Sequence, residues 1–125
     1  MWTYRCYNDG GQPNLWQRWY DLHPDYQGSH DAIFGMLETR LNWGPPHADF
    51  LDKDNRIVEV RLTGKVKYRI LGFYSETARK EFVVLGTCNH KQNVYDPPGI
   101  KETVVTRKSE IQRDQGKAIA CVRPK

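Results

Sequence analysis

The side chains of this chain most able to do chemistry are cationic, and they are concentrated between residues 56 and 91. Three runs of β-branched and aromatic residues in this stretch, joined by short polar connections, predict an antiparallel three-stranded meander. Basic side chains interrupt the apolar pattern at Arg61, Lys65, Lys67, Arg69, His90 and Lys91. A sheet that gathers cations on one face is suited to binding an anion, and phosphate is the usual candidate.

Such a cluster has the parts needed to cleave RNA through the RNA's own 2′-hydroxyl. The reaction needs a base for the 2′-OH proton, positive charge on the phosphorane and an acid for the leaving 5′-oxygen. A lysine or a tyrosine, such as Tyr95, can act as the base when neighbouring cations lower its pKa. Arginine stays protonated and suits a bidentate contact with phosphate. The scheme needs no metal or cofactor, and no motif in the chain indicates one.

Each of these side chains also has an ordinary structural interpretation. The two arginines could pair with Glu59, Glu76 or Glu81 on neighbouring strands, at little net gain in free energy. The two lysines could protect a sheet edge, and an isolated histidine is more often a packing residue. Six basic side chains against one or two acidic ones on a single face nevertheless favour anion binding.

Charge is segregated along the 125 residues. Residues 1–55 carry four Lys/Arg and eight Asp/Glu, a net −4, whereas residues 56–125 carry fifteen and seven, a net +8. This asymmetry predicts a face in the second half that binds a polyanion.

Location and redox state are predicted from what the sequence contains near its start and from its cysteines. No apolar run is long enough to span a membrane and the first residues have no signal-peptide pattern, so we expect a cytoplasmic protein. Cys6, Cys88 and Cys121 are far apart and odd in number, which predicts free thiols and no zinc site.

Helices are predicted mainly before the meander. Residues 2–7 alternate as a short first strand, and residues 14–22 and 29–42 have the spacing of amphipathic helices. The short connection between the helices predicts an antiparallel hairpin that packs on the sheet. The aromatic stripe of the first helix could stack on bases, but at this spacing it is expected to be core.

The C-terminal part is predicted to be basic and partly helical. Residues 100–111 form a thin apolar stripe flanked by cations, which indicates a helix with Arg107 and Lys108 as candidate RNA-binding residues. Lys65, beside the first hairpin, is a third candidate of this kind. The chain is therefore expected to be an α+β protein of order β-α-α-β-β-β with a possible C-terminal helix. Residues 1–114 would form one domain, and residues 115–125 a loose basic tail.

The element order and three motifs resemble the RelE/ParE superfamily of type II toxins, in particular its HigB-like, phage-derived branch. Val58–Arg61 is similar to the family's strand of the type hxEhR, and Lys67–Leu71 to its strand hxYRhh. Val83–Leu85, followed by Asn89–Lys91, is similar to the apolar strand that runs into hHK. The resemblance covers about residues 1–114, and its specific part is Ile57–Lys91.

The resemblance implies a metal-independent, ribosome-dependent mRNA endonuclease that a co-encoded antitoxin silences. Its partners would be that antitoxin, mRNA and the ribosome, with no cofactor. The catalytic residues carried over to this chain are Arg61, Lys67, Arg69, His90, Lys91 and Tyr95. Two departures stand out: Gln92 occupies the place of a second lysine, and Pro97-Pro98 interrupts the chain before the last helix.

Two other functions compete with the nuclease. The family also contains inhibitors of DNA gyrase and members with weak nuclease activity, but an inhibitor of a protein target has no need of the cationic set. A general RNA-binding protein is disfavoured because the strands lack the exposed aromatic pattern of an RNA-recognition sheet.

Overall fold

The computed structural model describes all 125 residues and has an α+β fold with three α-helices and a mixed seven-stranded sheet. The helices are α1 (Leu15–Leu22), α2 (Gln27–Leu37) and α3 (Ile100–Arg113). The strands are β1 (Thr3–Tyr7), β2 (Ala48–Asp52), β3 (Ile57–Arg61), β4 (Tyr68–Tyr74), β5 (Glu81–Lys91), β6 (Val94–Asp96) and β7 (Ala118–Cys121). None of the helices combines the length and apolar character needed to cross a membrane.

The sheet order is β2-β3-β4-β5-β1-β7, with β6 paired to the far end of β5. Strand β1 runs parallel to β5, and every other pair is antiparallel. The predicted meander is therefore confirmed as β3, β4 and β5. Strand β1 pairs only with residues 81–84 of β5, and β6 pairs with residues 89–91.

Strand alternation divides the core into two clusters, one on each face of the sheet. Val58 and Val60 lie in the cluster that contains the aromatic face of α1, including Trp16, so that stripe is confirmed as core. Ile57 and Leu71 lie in the other cluster, beneath α3. The side chains of Glu59 and Arg61, which alternate with the first pair, therefore lie on the α3 side of the sheet.

The first helix of the hairpin begins as predicted, whereas the second begins at Gln27, two residues before the predicted start, and ends early. Asn14 caps α1 by accepting a hydrogen bond from the Gln17 N–H at 2.9 Å. Helix α2 ends at Leu37, not at residue 42. Thr39 Oγ1 donates to the Met36 carbonyl at 2.7 Å, a local contact that competes with continuation of the helix.

Three strands were missed, and the predicted C-terminal tail is part of the fold. Residues 48–52, between the hairpin and the meander, form β2, and the segment after Lys91 contains the short β6. Residues 118–121 form β7, which pairs with β1, and Arg123 Nε donates to Glu38 Oε1 at 3.0 Å. The segment is not a loose tail, because partners distant in sequence supply its hydrogen bonds.

The prediction of three free thiols is wrong, because Cys6 and Cys121 form a disulfide between β1 and β7. Pairing of these strands brings the two Cα atoms to 5.9 Å, although 115 positions separate them in sequence. Cys88 remains a free, buried thiol, and burial raises its pKa to about 12.

The number of reactive thiols should therefore depend on both folding and reduction. With Ellman's reagent we expect no reactive thiol in the native, unreduced protein, since Cys88 is buried and protonated. One thiol should react after unfolding in guanidinium without reductant, and three after reduction. Two or more thiols in the unreduced, unfolded protein would show that the disulfide is absent.

Gly72 allows the close approach of β4 and β5 at an irregular point in their pairing. The register shifts between Leu71 and Gly72, and a Cβ atom at Gly72 would meet the Val83 carbonyl oxygen and lie 2.6 Å from the Phe82 ring.

Gly72→Ala should therefore lower the free energy of unfolding by about 1–3 kcal/mol, measured by urea titration. Gly35→Ala is the matched control: its Cβ would enter open space in α2, and it should stabilise by about 0.5–1 kcal/mol. Equal effects of both changes would contradict this packing.

Candidate functional site

Five of the predicted site residues lie in two cross-strand rows on the α3 side of the sheet. The rows are at the end of the sheet where β3 and β5 end and β4 begins. In the first row, Arg61 lies opposite Arg69. In the second row, the His90 N–H donates to the Lys67 carbonyl at 2.8 Å, and His90 pairs with Tyr95 on β6. Directly opposed residues of antiparallel strands place their Cβ atoms about 4.5–5.5 Å apart on one face. The topology therefore brings these side chains together.

Glu59 lies at the centre of this site, although sequence reasoning treated it only as a possible ion-pair partner. Its side chain is 5% exposed, and Oε2 accepts from Nε of Arg69 at 2.9 Å and from Nε of Arg61 at 3.1 Å. Oε1 accepts from the Tyr95 hydroxyl at 2.8 Å. One buried carboxylate thus orients three of the predicted catalytic side chains. The position of Glu59 in the hxEhR motif was the sequence signal that could have identified it as a site residue.

The two arginines differ in exposure and in their remaining contacts. Arg69 is 10% exposed at its side chain, and its Nη1 donates to the Tyr68 carbonyl at 3.2 Å. Arg61 is 35% exposed, and its Nη2 lies 3.6 Å from Asp49. Since Glu59 engages both groups at Nε, the outer nitrogens remain the atoms with which an anion would form hydrogen bonds. The Nη2 of Arg69 makes no hydrogen bond within the protein.

Tyr95 is held as a hydrogen-bond donor, which does not suit it to act as a base. Burial, the hydrogen bond to Glu59 and the negative charge of Glu59 together raise its pKa well above the usual value of a tyrosine. The base role depended on neighbouring cations that lower the Tyr95 pKa. The lowering by Arg69 is outweighed by these three effects. The His90 ring stacks on the Tyr95 ring at 4.4 Å with an interplanar angle of 6°. Lys67 and His90 are therefore the side chains available for proton transfer.

The loop between β3 and β4, which carries Lys65 and Lys67, is anchored to the helical hairpin. The Val66 N–H donates to the Tyr26 hydroxyl at 2.8 Å. Gly64 has φ +149°, and a Cβ atom there would collide with the Tyr26 ring. Lys65 is exposed on this loop, outside the cross-strand rows, whereas Lys67 is directly beside His90.

Three other predicted residues lie outside the cluster. Lys91 pairs with Val94 and, by strand alternation, points to the opposite face from His90. Arg107 donates to the Leu85 carbonyl at 2.8 Å, and Lys108 donates to the Asn55 carbonyl at 2.6 Å. Arg107 thus holds α3 to β5, and Lys108 holds α3 to the turn between β2 and β3.

The cluster is an open surface and not a closed cavity. A cavity of about 600 Å³ lies beside the turn between β4 and β5, at the opposite end of these strands, where Trp2, Trp43 and Tyr74 line it. No three His, Cys, Asp or Glu side chains lie close enough together to hold a metal ion. An exposed cationic face without a deep pocket suits a macromolecular anion better than a small ligand.

Comparisons with protein-family models, with curated proteins and with solved structures find no match to this chain. The chemistry of the site therefore rests on its own geometry: two arginines and a tyrosine fixed on one buried carboxylate, beside a lysine and a histidine.

Proposed function

We propose that this chain is a metal-independent endoribonuclease of the RelE/ParE type, the toxin of a toxin–antitoxin pair that cleaves mRNA on the ribosome. The observation that carries the proposal is the placement of Arg61, Lys67, Arg69, His90 and Tyr95 on one open face. Glu59 fixes three of them through hydrogen bonds of 2.8–3.1 Å. Preorganised charge of this kind stabilises a transition state without reorganisation during the reaction.

The reaction would proceed by attack of the substrate 2′-oxygen on the adjacent phosphorus atom. Lys67 and His90 are the base and the acid: one takes the 2′-OH proton, and the other gives a proton to the leaving 5′-oxygen. The outer nitrogens of Arg61 and Arg69 bind the non-bridging oxygens, where negative charge increases. The P–O5′ bond breaks, leaving a 2′,3′-cyclic phosphate and a 5′-hydroxyl. Tyr95 donates a hydrogen bond and stays protonated.

The order of elements also supports the proposal. With β2 set aside, strand β1, the hairpin α1–α2 and the meander β3–β5 come in the order β-α-α-β-β-β that the resemblance implies. On this interpretation β2, β6 and β7 are additions to a RelE-like core. Strand β6 contributes Tyr95 to the site, and α3 follows the Pro97-Pro98 segment and packs on the sheet.

One observation favours a second candidate, an RNA-binding member of the family that no longer cleaves. Glu59 and Asp49 compensate much of the charge of Arg61 and Arg69, which weakens the attraction of a phosphate. In this case the site would bind RNA without stabilising a phosphorane.

Mapping mRNA 5′ ends in a translating extract distinguishes these functions. Purified protein is added to the extract, and to the same mRNA in buffer without ribosomes. New 5′ ends that need translation would support a ribosome-dependent nuclease. Intact mRNA at protein concentrations that stop translation would contradict it and favour the RNA-binding alternative. Intact mRNA with normal translation would favour a toxin that inhibits a protein target. A gyrase supercoiling assay would test this alternative.

A further inference from the structure

The cavity beside the turn between β4 and β5 has the size of a small-molecule site. Its volume is about 600 Å³, and its lining combines the aromatic side chains of Trp2, Trp43 and Tyr74 with residues 75–81. Ligand sites typically measure about 300–1,000 Å³ and are mostly apolar with a few polar groups. Arg69 and Tyr74 lie at opposite ends of β4, roughly 16 Å apart at the rise of an extended strand, so the cavity is separate from the cationic site.

The aromatic wall of the cavity is fixed by contacts within the protein. Trp2 Nε1 donates to the Arg40 carbonyl at 2.8 Å, and the centroids of the Trp2 and Trp43 rings are 4.4 Å apart. Trp43 also packs on the Phe82 ring at 5.0 Å, and Tyr74 lies 6.1 Å from Trp2 and 6.0 Å from Trp43. A wall that is already ordered spares a ligand the entropic cost of ordering it.

The charged side chains of the lining differ in whether the protein already uses them. Glu81 lies 3.7 Å from Arg5, and Glu76 accepts a hydrogen bond of 2.8 Å from a glutamine of α3. Arg79 and Lys80 line the same cavity, and neither side chain forms an ion pair or a hydrogen bond within the protein. The positive charges are therefore the ones that remain available, and they attract an anionic group.

A cage for a cation is the alternative that three aromatic rings suggest, because ring faces attract ammonium groups. A cage needs open space between its rings. The Trp2 and Trp43 rings are in contact at 4.4 Å with an interplanar angle of 36°, which leaves no space for an ammonium group between them. The free charges of Arg79 and Lys80 would also repel a cation. The rings are therefore better suited to serve as an apolar surface.

We propose that this cavity binds a small aromatic acid, that is, a flat ring system that carries one anionic group. The ring packs on the wall formed by Trp2, Trp43 and Tyr74, and ring-to-ring contacts add to the burial of apolar area. The anionic group lies at Arg79 and Lys80, where the guanidinium of Arg79 can form a bidentate contact. Since the cavity is distant from the cationic site, the proposal does not depend on the nuclease activity.

The test uses the whole protein, labelled with ¹⁵N, and four probes: indole-3-acetate, indole-3-acetamide, tryptamine and acetate. The first three share one ring and differ in charge, and the fourth has the charge without the ring. Indole-3-acetate should shift the indole N–H signals of Trp2 and Trp43 and the amide signals of residues 75–81. Indole-3-acetamide should bind about threefold to fivefold more weakly, because it lacks the charge. Tryptamine should bind more weakly still, and acetate should cause no saturable shift.

Two variants locate the charge selection. Arg79→Gln combined with Lys80→Gln removes both cations from the turn and should abolish the preference for indole-3-acetate over indole-3-acetamide, while the remaining spectrum stays unchanged. Lys65→Gln is the matched control, because it removes an exposed cation at the other end of β4 and should keep the preference. Loss of the preference in the control as well would overturn the proposed selection by this turn.

Three results with the unaltered protein would overturn the proposal. Equal binding of indole-3-acetate and indole-3-acetamide would exclude a role for the two cations. Tighter binding of tryptamine would favour the aromatic cage. Absence of shifts at Trp2, Trp43 and residues 75–81 with roughly 10 mM indole-3-acetate, above the Kd of about 1 mM expected for a ligand of this size, would exclude the site.

Discussion

Arg69→Ala is expected to lower the rate of mRNA cleavage by roughly 10²–10³, the usual effect of removing one donor that stabilises a transition state. Arg69 lies in the middle of the site, where Glu59 fixes its Nε and its Nη2 is left without a partner in the protein. The rate would be measured as single-turnover cleavage of a programmed ribosome complex.

Two further variants separate a catalytic effect from a folding effect. Arg69→Lys keeps the positive charge but loses the planar two-pronged contact, so it should remain strongly impaired. Lys53→Ala removes an exposed cation from the turn between β2 and β3, at the other end of β3, and should leave the rate unchanged. A folded Arg69→Lys variant with the original rate would contradict the role of Arg69. An equal loss in Lys53→Ala would show that only overall charge matters.

Removal of the Glu59 carboxylate should be the most destabilising change in the site. Glu59→Gln leaves the buried Arg69 without its counter-charge, and loss of one member of a buried ion pair costs about 3–5 kcal/mol. The expected result is a lower midpoint of urea unfolding. The same change should reduce cleavage, because both arginines and Tyr95 lose their common acceptor.

A double-mutant cycle tests whether this loss comes from the pair. The variant Glu59→Gln with Arg69→Met removes both charges, so its destabilisation should be smaller than the sum of the single effects. Gln115→Ala, which removes an exposed hydrogen bond to Arg5, should add to Glu59→Gln without coupling. Additive effects of Glu59→Gln and Arg69→Met would contradict a direct buried interaction.

The meander was predictable because local pattern decides it. Val58 and Val60 alternate with Glu59 and Arg61, and a period of two fixes the side of the sheet on which each residue lies. Strands β2, β6 and β7 lack such a signal: β2 carries two aspartates, β6 has three residues, and β7 follows a turn near the C-terminus. Their pairing depends on neighbours that fold beside them.

Five residues of the candidate site were predictable from the sequence, but its central carboxylate, Glu59, and the contacts that join these residues were not. The types and order of Arg61, Lys67, Arg69 and His90 indicated an anion site before any geometry was known. The hydrogen bond between Tyr95 and Glu59 joins positions that are 36 residues apart, so its effect on the Tyr95 pKa has no local signal. The disulfide between Cys6 and Cys121 was hidden for the same reason.

The most direct test of the proposed 2′-hydroxyl chemistry is cleavage of an mRNA that carries a single 2′-deoxynucleotide on the 5′ side of the mapped cleavage site. The substituted message would keep the proposed phosphate contacts with Arg61 and Arg69 but lacks the 2′-hydroxyl nucleophile at the cleavage position. The expected result is no cleavage at that position, with a 2′,3′-cyclic phosphate and a 5′-hydroxyl on the products of the unmodified message. Cleavage of the substituted message at an unchanged rate would contradict the proposed mechanism.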